Sequence, residues 1–168
     1  MDEVTLTLHP ILRACWMKKG QQRRIPAAGQ QRWHHVFGAY NWLSDQIIWI
    51  DASRKKTAVF VRFLEHFMAS VQTDKPIVIV LDNASYHHSA ISEAALAALE
   101  ESNVIVCWLP PYCSDLNPIE RYWRHAKDLA CANKLHVNME ASVQVFDRAL
   151  HNQNILSHPD RCLFQKTF

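Results

Sequence analysis

The chain has little of what marks several common protein classes. Only three glycines occur in 168 residues, and there is no Gly/Ser linker, internal repeat or low-complexity tract, which indicates one compact domain over residues 1–168. No apolar run approaches the roughly 20 residues that span a bilayer. Asp2 and Glu3 stand where a signal peptide would be basic. We therefore expect a cytoplasmic protein without membrane contact.

Disulfide patterns and a strong overall charge are missing as well. The five cysteines are odd in number and scattered, and none forms a C-x-x-C pair, which argues against a disulfide framework and a zinc ribbon. We expect reduced, mostly buried thiols. The net charge is only +2 with histidine neutral, so a nucleic-acid partner would have to be met by local basic patches.

What is present is the composition and patterning of an α/β domain. The chain is 49% hydrophobic and 20% charged, which supplies one core. Hairpin-linked early strands are antiparallel and helix-linked later strands are parallel, which predicts a mixed five-stranded sheet with helices on both faces. The predicted strands are 2–8, 33–41, 46–51, 77–82 and 104–109, and the predicted helices are 55–72, 89–101, 118–131 and 139–151.

The fourth predicted strand ends in an acid. Its sequence IVIVLD (77–82) is continuously apolar and β-branched, the pattern of a strand buried on both faces, and residues 104–109 follow the same pattern. A carboxylate at the carboxyl end of a buried parallel strand lies at the crevice where ligands bind in open α/β sheets. Asp82 is therefore a candidate site residue. The alternative is that Asp82 and Asn83 only close the strand with an Asx-turn.

A second acid opens the first strand. Alternation places Asp2 on the same face as Val4 and Leu6, whereas Glu3 faces the other way. An acid among apolar side chains needs a partner, because an unpaired buried charge is costly. A bound cation is one such partner. The alternative is that Asp2, so near the first residue, is frayed and solvated.

A third acid stands at the start of a helix. Asn117, Pro118 and Glu120 occupy the spacing of an N-cap, N1 and N3, which favours a capping arrangement. A glutamate at N3 can also face the sheet edge, so both roles can coexist.

The three acids together suggest a metal site. If the strand that begins at Asp2 pairs in parallel with the one that ends at Asp82, the two acids lie roughly 5 Å apart across the ladder, and Glu120 can close the third side. Oxygen ligands suit Mg²⁺ or Mn²⁺ rather than Zn²⁺. Two such ions about 4 Å apart can clamp the attacking and leaving oxygens of a phosphoryl displacement. Asp82 is the most central of the three and the natural bridging ligand.

Three stretches of the sequence resemble a known enzyme family. They are LDNASYHHS (81–89), WLPPYCSDLNPIERYW (108–123) and the opening DEVTLTLHP. They are similar to the catalytic core of bacterial insertion-sequence transposases of the mariner-like superfamily, which are DDE enzymes with a ribonuclease-H-like fold. The resemblance runs from Asp2 to Trp123 and more weakly into the helix beyond.

The resemblance assigns roles residue by residue. Asp2 matches the family's first aspartate, Asp82 the second and Glu120 the terminal glutamate, although the interval 83–119 is slightly longer than usual. It implies two Mg²⁺ or Mn²⁺ ions, cleavage of double-stranded DNA at transposon ends, strand transfer into target DNA and a homodimer on paired ends. Family members carry helix-turn-helix modules before the first aspartate, and we expect this chain to be the catalytic part without them.

Other residues are candidates to support the acids or to contact DNA. The family often has a histidine near His87, although a surface histidine at a helix start is the alternative; Asn83 and Asn117 are further candidates to support the acids. Basic residues could contact phosphates, although an ordinary solvated face is the alternative for each. The basic candidates are Lys18, Lys19, Arg23, Arg24, Arg121, Arg124 and Lys127, with a further cluster at 54–56.

Two other functions remain open at this stage. One is a ribonuclease-H-like nuclease that hydrolyses DNA without strand transfer. The other is an inactive transposase relic that only binds DNA or a partner, because the first strand is short.

Overall fold

The computed structural model describes residues 1–111 and 113–156, with only the backbone of Ser114 and Leu156. Tyr112 of the motif, Cys162 and the end of the predicted domain lie outside the described residues. The strands are β1 Asp2–Thr7, β2 Trp33–Asn41, β3 Gln46–Ala52, β4 Ile77–Leu81 and β5 Val104–Trp108. The α-helices are α1 Thr57–Ser70, α2 Ala90–Glu100, α3 Ile119–Cys131 and α4 Met139–Leu156, with short 3-10 turns at Ser85–His88 and Ser114–Leu116.

The directions of the strands are those predicted, although no ladder joins β1 to β4 among the described residues. β1, β2 and β3 form an antiparallel sheet, and β4 and β5 form a parallel pair. The Met1 nitrogen donates a hydrogen bond to the Val80 carbonyl oxygen at 2.7 Å, which sets the start of β1 beside the end of β4. The strands thus follow one another as β3-β2-β1-β4-β5, with the β1–β4 junction made by that contact.

Helices cover both faces of the β1–β3 sheet, and neighbouring residues of β2 enter different cores. Val36 packs with α3 and α4, whereas Phe37 packs with α1. Gly38 lies against Trp123 of α3 so closely that a Cβ atom there would be 2.5 Å from Trp123 Cη2. Trp123 is buried, which places it in the core.

The prediction that β4 and β5 are buried on both faces is wrong for the described residues. Ile79 and Leu81 are buried against α1 and α2, but Val78 is 58% and Ile105 51% exposed on the opposite face. The reason is that α3 and α4 lie over β1–β3, so within the described part of the chain nothing covers this face of the parallel pair. A continuous apolar run does not distinguish one covered face from two.

Polar side chains cap the starts of two helices. Ser89 Oγ accepts a hydrogen bond from the Ser92 amide at the start of α2, and Asn138 Oδ1 accepts one from the Ala141 amide at 2.8 Å at the start of α4.

The expectation of reduced, mostly buried thiols is corrected in part. The four described thiols are free, but only Cys131 is buried. None of the described helices combines the length and the apolarity needed to cross a membrane.

Candidate active site

The three candidate acids line one pocket. The pocket has a volume of about 420 Å³ and lies where β1, the end of β4 and the start of α3 meet. Its walls also contain the segment that follows β5. The lining residues are Asp2, Asp82, Asn83, Ala84, Leu109, Pro110, Pro111, Cys113, Asn117 and Glu120.

Asp82 is held from two sides. The Ala84 amide donates to its Oδ1 at 3.2 Å, so the Asx-turn expected as the alternative is present. His87 Nδ1 lies 3.1 Å from the same Oδ1 and 3.1 Å from the Asp82 carbonyl oxygen. Both of these oxygens are acceptors, so Nδ1 carries the proton and donates. The hydrogen bond from His87 lowers the pKa of Asp82, against the opposing effect of partial burial.

His87 is not a surface residue. It is 2% exposed, and its ring packs against Phe60, with the ring centroids 4.3 Å apart. The alternative of a surface histidine at a helix start is therefore wrong for His87, whereas His88 is exposed and stacks on Trp108. The buried ring reaches Asp82 because the 3-10 turn at Ser85–His88 folds back under the end of β4.

Asp2 is electrostatically unlike Asp82. Burial raises its pKa to about 7, and the neighbouring Glu3 carboxylate adds to the rise. Glu3 faces the other side of β1, where Lys55 Nζ lies 3.1 Å from its Oε1. Asp2 is half-buried, so the alternative of a frayed and fully solvated residue is wrong. A carboxyl group with a raised pKa is one whose charged form lacks a partner.

Glu120 and Asn117 differ from the predicted capping arrangement. α3 begins at Ile119 with Pro118 at the cap position and without a side-chain cap bond. Asn117 is 6% exposed, and its Nδ2 donates to the Met1 carbonyl oxygen at 3.3 Å. Its own carbonyl accepts the Glu120 amide at 3.1 Å. Asn117 therefore connects the start of β1 to the start of α3, which a reading of local spacing could not show. Asn83 Nδ2 donates a hydrogen bond to the Leu109 carbonyl oxygen at 2.6 Å, which connects the segment after β4 to the segment after β5.

The residues of the pocket fit a hard divalent cation. Carboxylates and amide oxygens are the groups that Mg²⁺ and Mn²⁺ bind, and both side-chain contacts of Asp82 use Oδ1, which leaves Oδ2 for a ligand. A cation would also supply the partner that ionised Asp2 lacks. Among the described residues no three acids, histidines or cysteines are already gathered as a metal cluster. Like charges repel, and a cation bound among the acids would offset that repulsion.

The predicted DNA contacts lie at the surface, apart from one that is half-buried. Lys18, Lys19, Arg23 and Arg24 are exposed on the segment between β1 and β2 and do not line the acidic pocket. On α3, Arg121 and Arg124 are exposed and Lys127 is half-buried.

A second pocket was not anticipated from the sequence. Its volume is about 470 Å³, and it lies between the turn after β2 and the exposed side of α3. Its residues come from β2 and the turn after it, from α3 and the residue before it, and from α4, and no local sequence pattern links them. They are Tyr40, Trp42, Asp45, Pro118, Arg121, Tyr122, His125 and Gln153.

Comparisons with known proteins agree with this architecture. The chain is 28% identical over 132 residues to the insertion element IS630 uncharacterized 39 kDa protein of Shigella sonnei, a match that covers 79% of this chain and 38% of the relative. The chain thus spans well under half the length of that curated relative.

Solved structures show the fold. A Mos1 transposase paired-end complex with the left transposon end matches with a TM-score of 0.65 at 15% identity, over 93% of this chain and 52% of that chain. The Mos1 strand transfer complex matches with a TM-score of 0.59 at 16% identity, over 92% and 51% of the two chains. The ribonuclease-H-like α/β fold is thereby confirmed.

The family itself is shown by sequence. The family described as DDE superfamily endonuclease matches residues 1–141, which include β1, the end of β4 and the start of α3. The chain belongs to the DDE superfamily endonuclease family.

Proposed function

We propose that this chain is the catalytic domain of a metal-dependent DNA transposase, with Asp2, Asp82 and Glu120 as its catalytic, metal-holding acids. The observation that carries the proposal is that these acids, from three separate elements of a chain in the DDE endonuclease family, line one pocket. The relatives named above belong to an insertion element and to transposon-end complexes, which supports transposon DNA as the substrate.

The chain's own residues would position the reaction. Asp82 is oriented by the His87 Nδ1–H and the Ala84 amide, so one of its oxygens is fixed and the other is left for a ligand. Asn117 holds the start of β1, and with it Asp2, at a set distance from Glu120. Bound divalent ions, in the proposal two of Mg²⁺ or Mn²⁺, would activate the attacking oxygen and offset charge on the leaving oxygen.

The proposed chemistry comprises two balanced displacements at phosphorus. In the first, the oxygen of water bonds to phosphorus, the bond from phosphorus to the 3′ oxygen breaks, and a 3′-hydroxyl and a 5′-phosphate result. In the second, that 3′-hydroxyl attacks a target phosphodiester and displaces its 3′ oxygen, so one ester bond is exchanged for another. Neither step needs an oxidant, a nucleotide cofactor or a covalent intermediate on the protein.

The proposal extends to the partners. Double-stranded DNA would be met by phosphate contacts from the basic residues, since a net charge of +2 provides no strong overall field. A homodimer on paired DNA ends, a cytoplasmic location and a single catalytic domain belong to the same proposal.

One experiment separates this function from its rivals. The chain is incubated in Mn²⁺ with supercoiled plasmid and a labelled duplex that carries a free 3′-hydroxyl. Transposase chemistry predicts both nicked plasmid and label joined to plasmid, and both products should vanish in the Asp82→Asn variant. Nicking without joining would support the plain nuclease. Equal products from wild type and Asp82→Asn would overturn the assignment of the acids.

A further inference from the structure

The peptide group that joins Tyr86 to His87 is held at both of its polar atoms. Its N–H, which belongs to His87, donates a hydrogen bond to the Ala84 carbonyl oxygen at 2.9 Å. Its carbonyl oxygen, which belongs to Tyr86, accepts a hydrogen bond from Ser92 Oγ at 2.6 Å. Because a peptide group is planar, hydrogen bonds at its two ends fix its orientation. That orientation sets the direction in which the His87 ring leaves the backbone.

Ser92 donates its only hydroxyl proton outside its own helix. It lies in the first turn of α2 and is 0% exposed, so its hydroxyl needs a partner within the protein. A serine within a helix commonly bonds the carbonyl oxygen of the preceding helical turn. Ser92 bonds Tyr86 instead, which precedes the helix. The contact therefore holds the 3-10 turn that carries His87, and it is not part of the hydrogen bonding of α2.

Two further hydroxyl groups support Ser92. Thr57 Oγ1, at the start of α1, donates a hydrogen bond to Ser89 Oγ at 3.1 Å. Ser89 Oγ lies 3.1 Å from Ser92 Oγ and 3.1 Å from the Tyr86 carbonyl oxygen. A hydroxyl has one proton, so Ser89 donates to only one of these two oxygens at a time. The starts of α1 and α2 thus both hold the turn, and Ser89 is a second, longer-range donor to the Tyr86 carbonyl.

We propose that Ser92 is a positioning residue for the reaction and acts through His87 on Asp82. Ser92 Oγ holds the peptide group before His87, and His87 Nδ1 in turn donates to Asp82 Oδ1 at 3.1 Å. Ser92 does not line the acidic pocket, so its effect on the acids passes through the turn. This inference rests on the proposed function, since it takes Asp82 to be an acid whose orientation the reaction needs.

Hydrogen exchange of the His87 Nδ1–H tests the positioning without metal or DNA. In the wild type, nuclear magnetic resonance should show slow exchange, because the ring is 2% exposed and the proton is donated to Asp82. Ser92→Ala should speed this exchange about fivefold, the size expected for loss of one hydrogen bond. The amide proton of Val36, in the middle of β2, should change less, which separates a local opening of the turn from a lower stability of the whole chain.

Two matched variants define the result. Ser92→Thr keeps the hydroxyl and should restore slow exchange. Ser142→Ala removes another hydroxyl that is 0% exposed, on α4 and beside Cys131 Sγ, and should leave exchange of the His87 proton unchanged. Nicking of plasmid in Mn²⁺ should fall in Ser92→Ala by a factor similar to the gain in exchange and recover in Ser92→Thr.

The outcomes separate this inference from the proposed function. Exchange of the His87 proton at the wild-type rate in Ser92→Ala, or exchange in Ser92→Thr as fast as in Ser92→Ala, would overturn the positioning role. Faster exchange with undiminished nicking would also overturn it, because the turn would then have no effect on the reaction. A wild type that exchanges as expected but nicks no DNA would count against the proposed function and leave the link from Ser92 to His87 supported.

Discussion

The Nδ1 atom of His87 lies 3.1 Å from Oδ1 of Asp82, and the His87 side chain that donates this hydrogen bond is 2% exposed. The contact connects Asp82 to the apolar core around Phe60, because the His87 ring packs against that side chain. The position of the carboxylate is therefore set by the core beneath it.

DNA nicking should depend on the Nδ1–H donor of His87 and not only on the volume of its side chain. His87→Leu fills similar space without a donor, and we expect nicking in Mn²⁺ to fall roughly 10- to 100-fold, the usual cost of losing a group that orients a metal ligand. His87→Asn can offer an N–H near the Nδ1 position and should recover part of the rate. Thermal unfolding of both variants is the control. Equal rates in the two variants at equal stability would show that the donor is irrelevant.

Asn117 should affect metal binding, unlike an asparagine that only caps a helix. Asn117→Ala removes the bond to the Met1 carbonyl, so Asp2 and Glu120 are no longer held together, and Mn²⁺ affinity should fall about tenfold. Asn138→Ala, the matched control, removes the cap of α4 and should cost about 1 kcal/mol of unfolding free energy while Mn²⁺ affinity stays constant. The reverse pattern would refute the linking role of Asn117.

Gly38 should tolerate no side chain. Its missing Cβ would lie 2.5 Å from Trp123 Cη2, so Gly38→Ala forces the ring or the strand to move and should lower the free energy of unfolding by about 1–3 kcal/mol. Gly29→Ala is the control, because a Cβ there meets nothing within 4 Å. Urea unfolding measures both variants. A neutral Gly38→Ala would mean that Trp123 is not packed on β2 as described.

Asp147 should make stability depend on pH. Burial, and then the charge of Asp51, raise the pKa of Asp147 above its ordinary value of 3.8, so the folded state favours the protonated form. Its contribution to stability is therefore lost as pH rises from that value through the folded-state pKa. Asp147→Asn keeps an acceptor for Trp49 Nε1 and should melt higher than wild type at pH 7 but equally at pH 3. A constant difference across this range would contradict the raised pKa.

Much of the fold followed from the sequence because periodicity is a local signal. Alternation predicted the face of Asp2 in β1, and the apolar run IVIVLD predicted the end of β4 to within one residue. Two errors have one cause. The double burial of β4 and the cap at Asn117 were judged from neighbours in the chain, whereas Val78 is open because of where α3 and α4 pack, and Asn117 is used by β1.

The second pocket had no local signal at all. Trp42 follows β2 and His125 lies on α3, and only the packing of α3 against the β2–β3 turn brings them together. The burial of His87 had a weak signal, in that it lies between the buried end of β4 and the apolar helix α2.

The central claim is that Asp2, Asp82 and Glu120 hold divalent metal ions in one pocket. Titration of the chain with Mn²⁺, with free Mn²⁺ followed by electron paramagnetic resonance, tests it without any DNA. Wild type should sequester Mn²⁺, and Asp82→Asn should bind it at least about tenfold more weakly, since removal of a ligand charge weakens a site of hard oxygen donors. Asp74→Asn, an exposed acid outside the pocket, should bind like wild type. Equal Mn²⁺ binding by wild type and Asp82→Asn, or no binding by wild type, would contradict the claim.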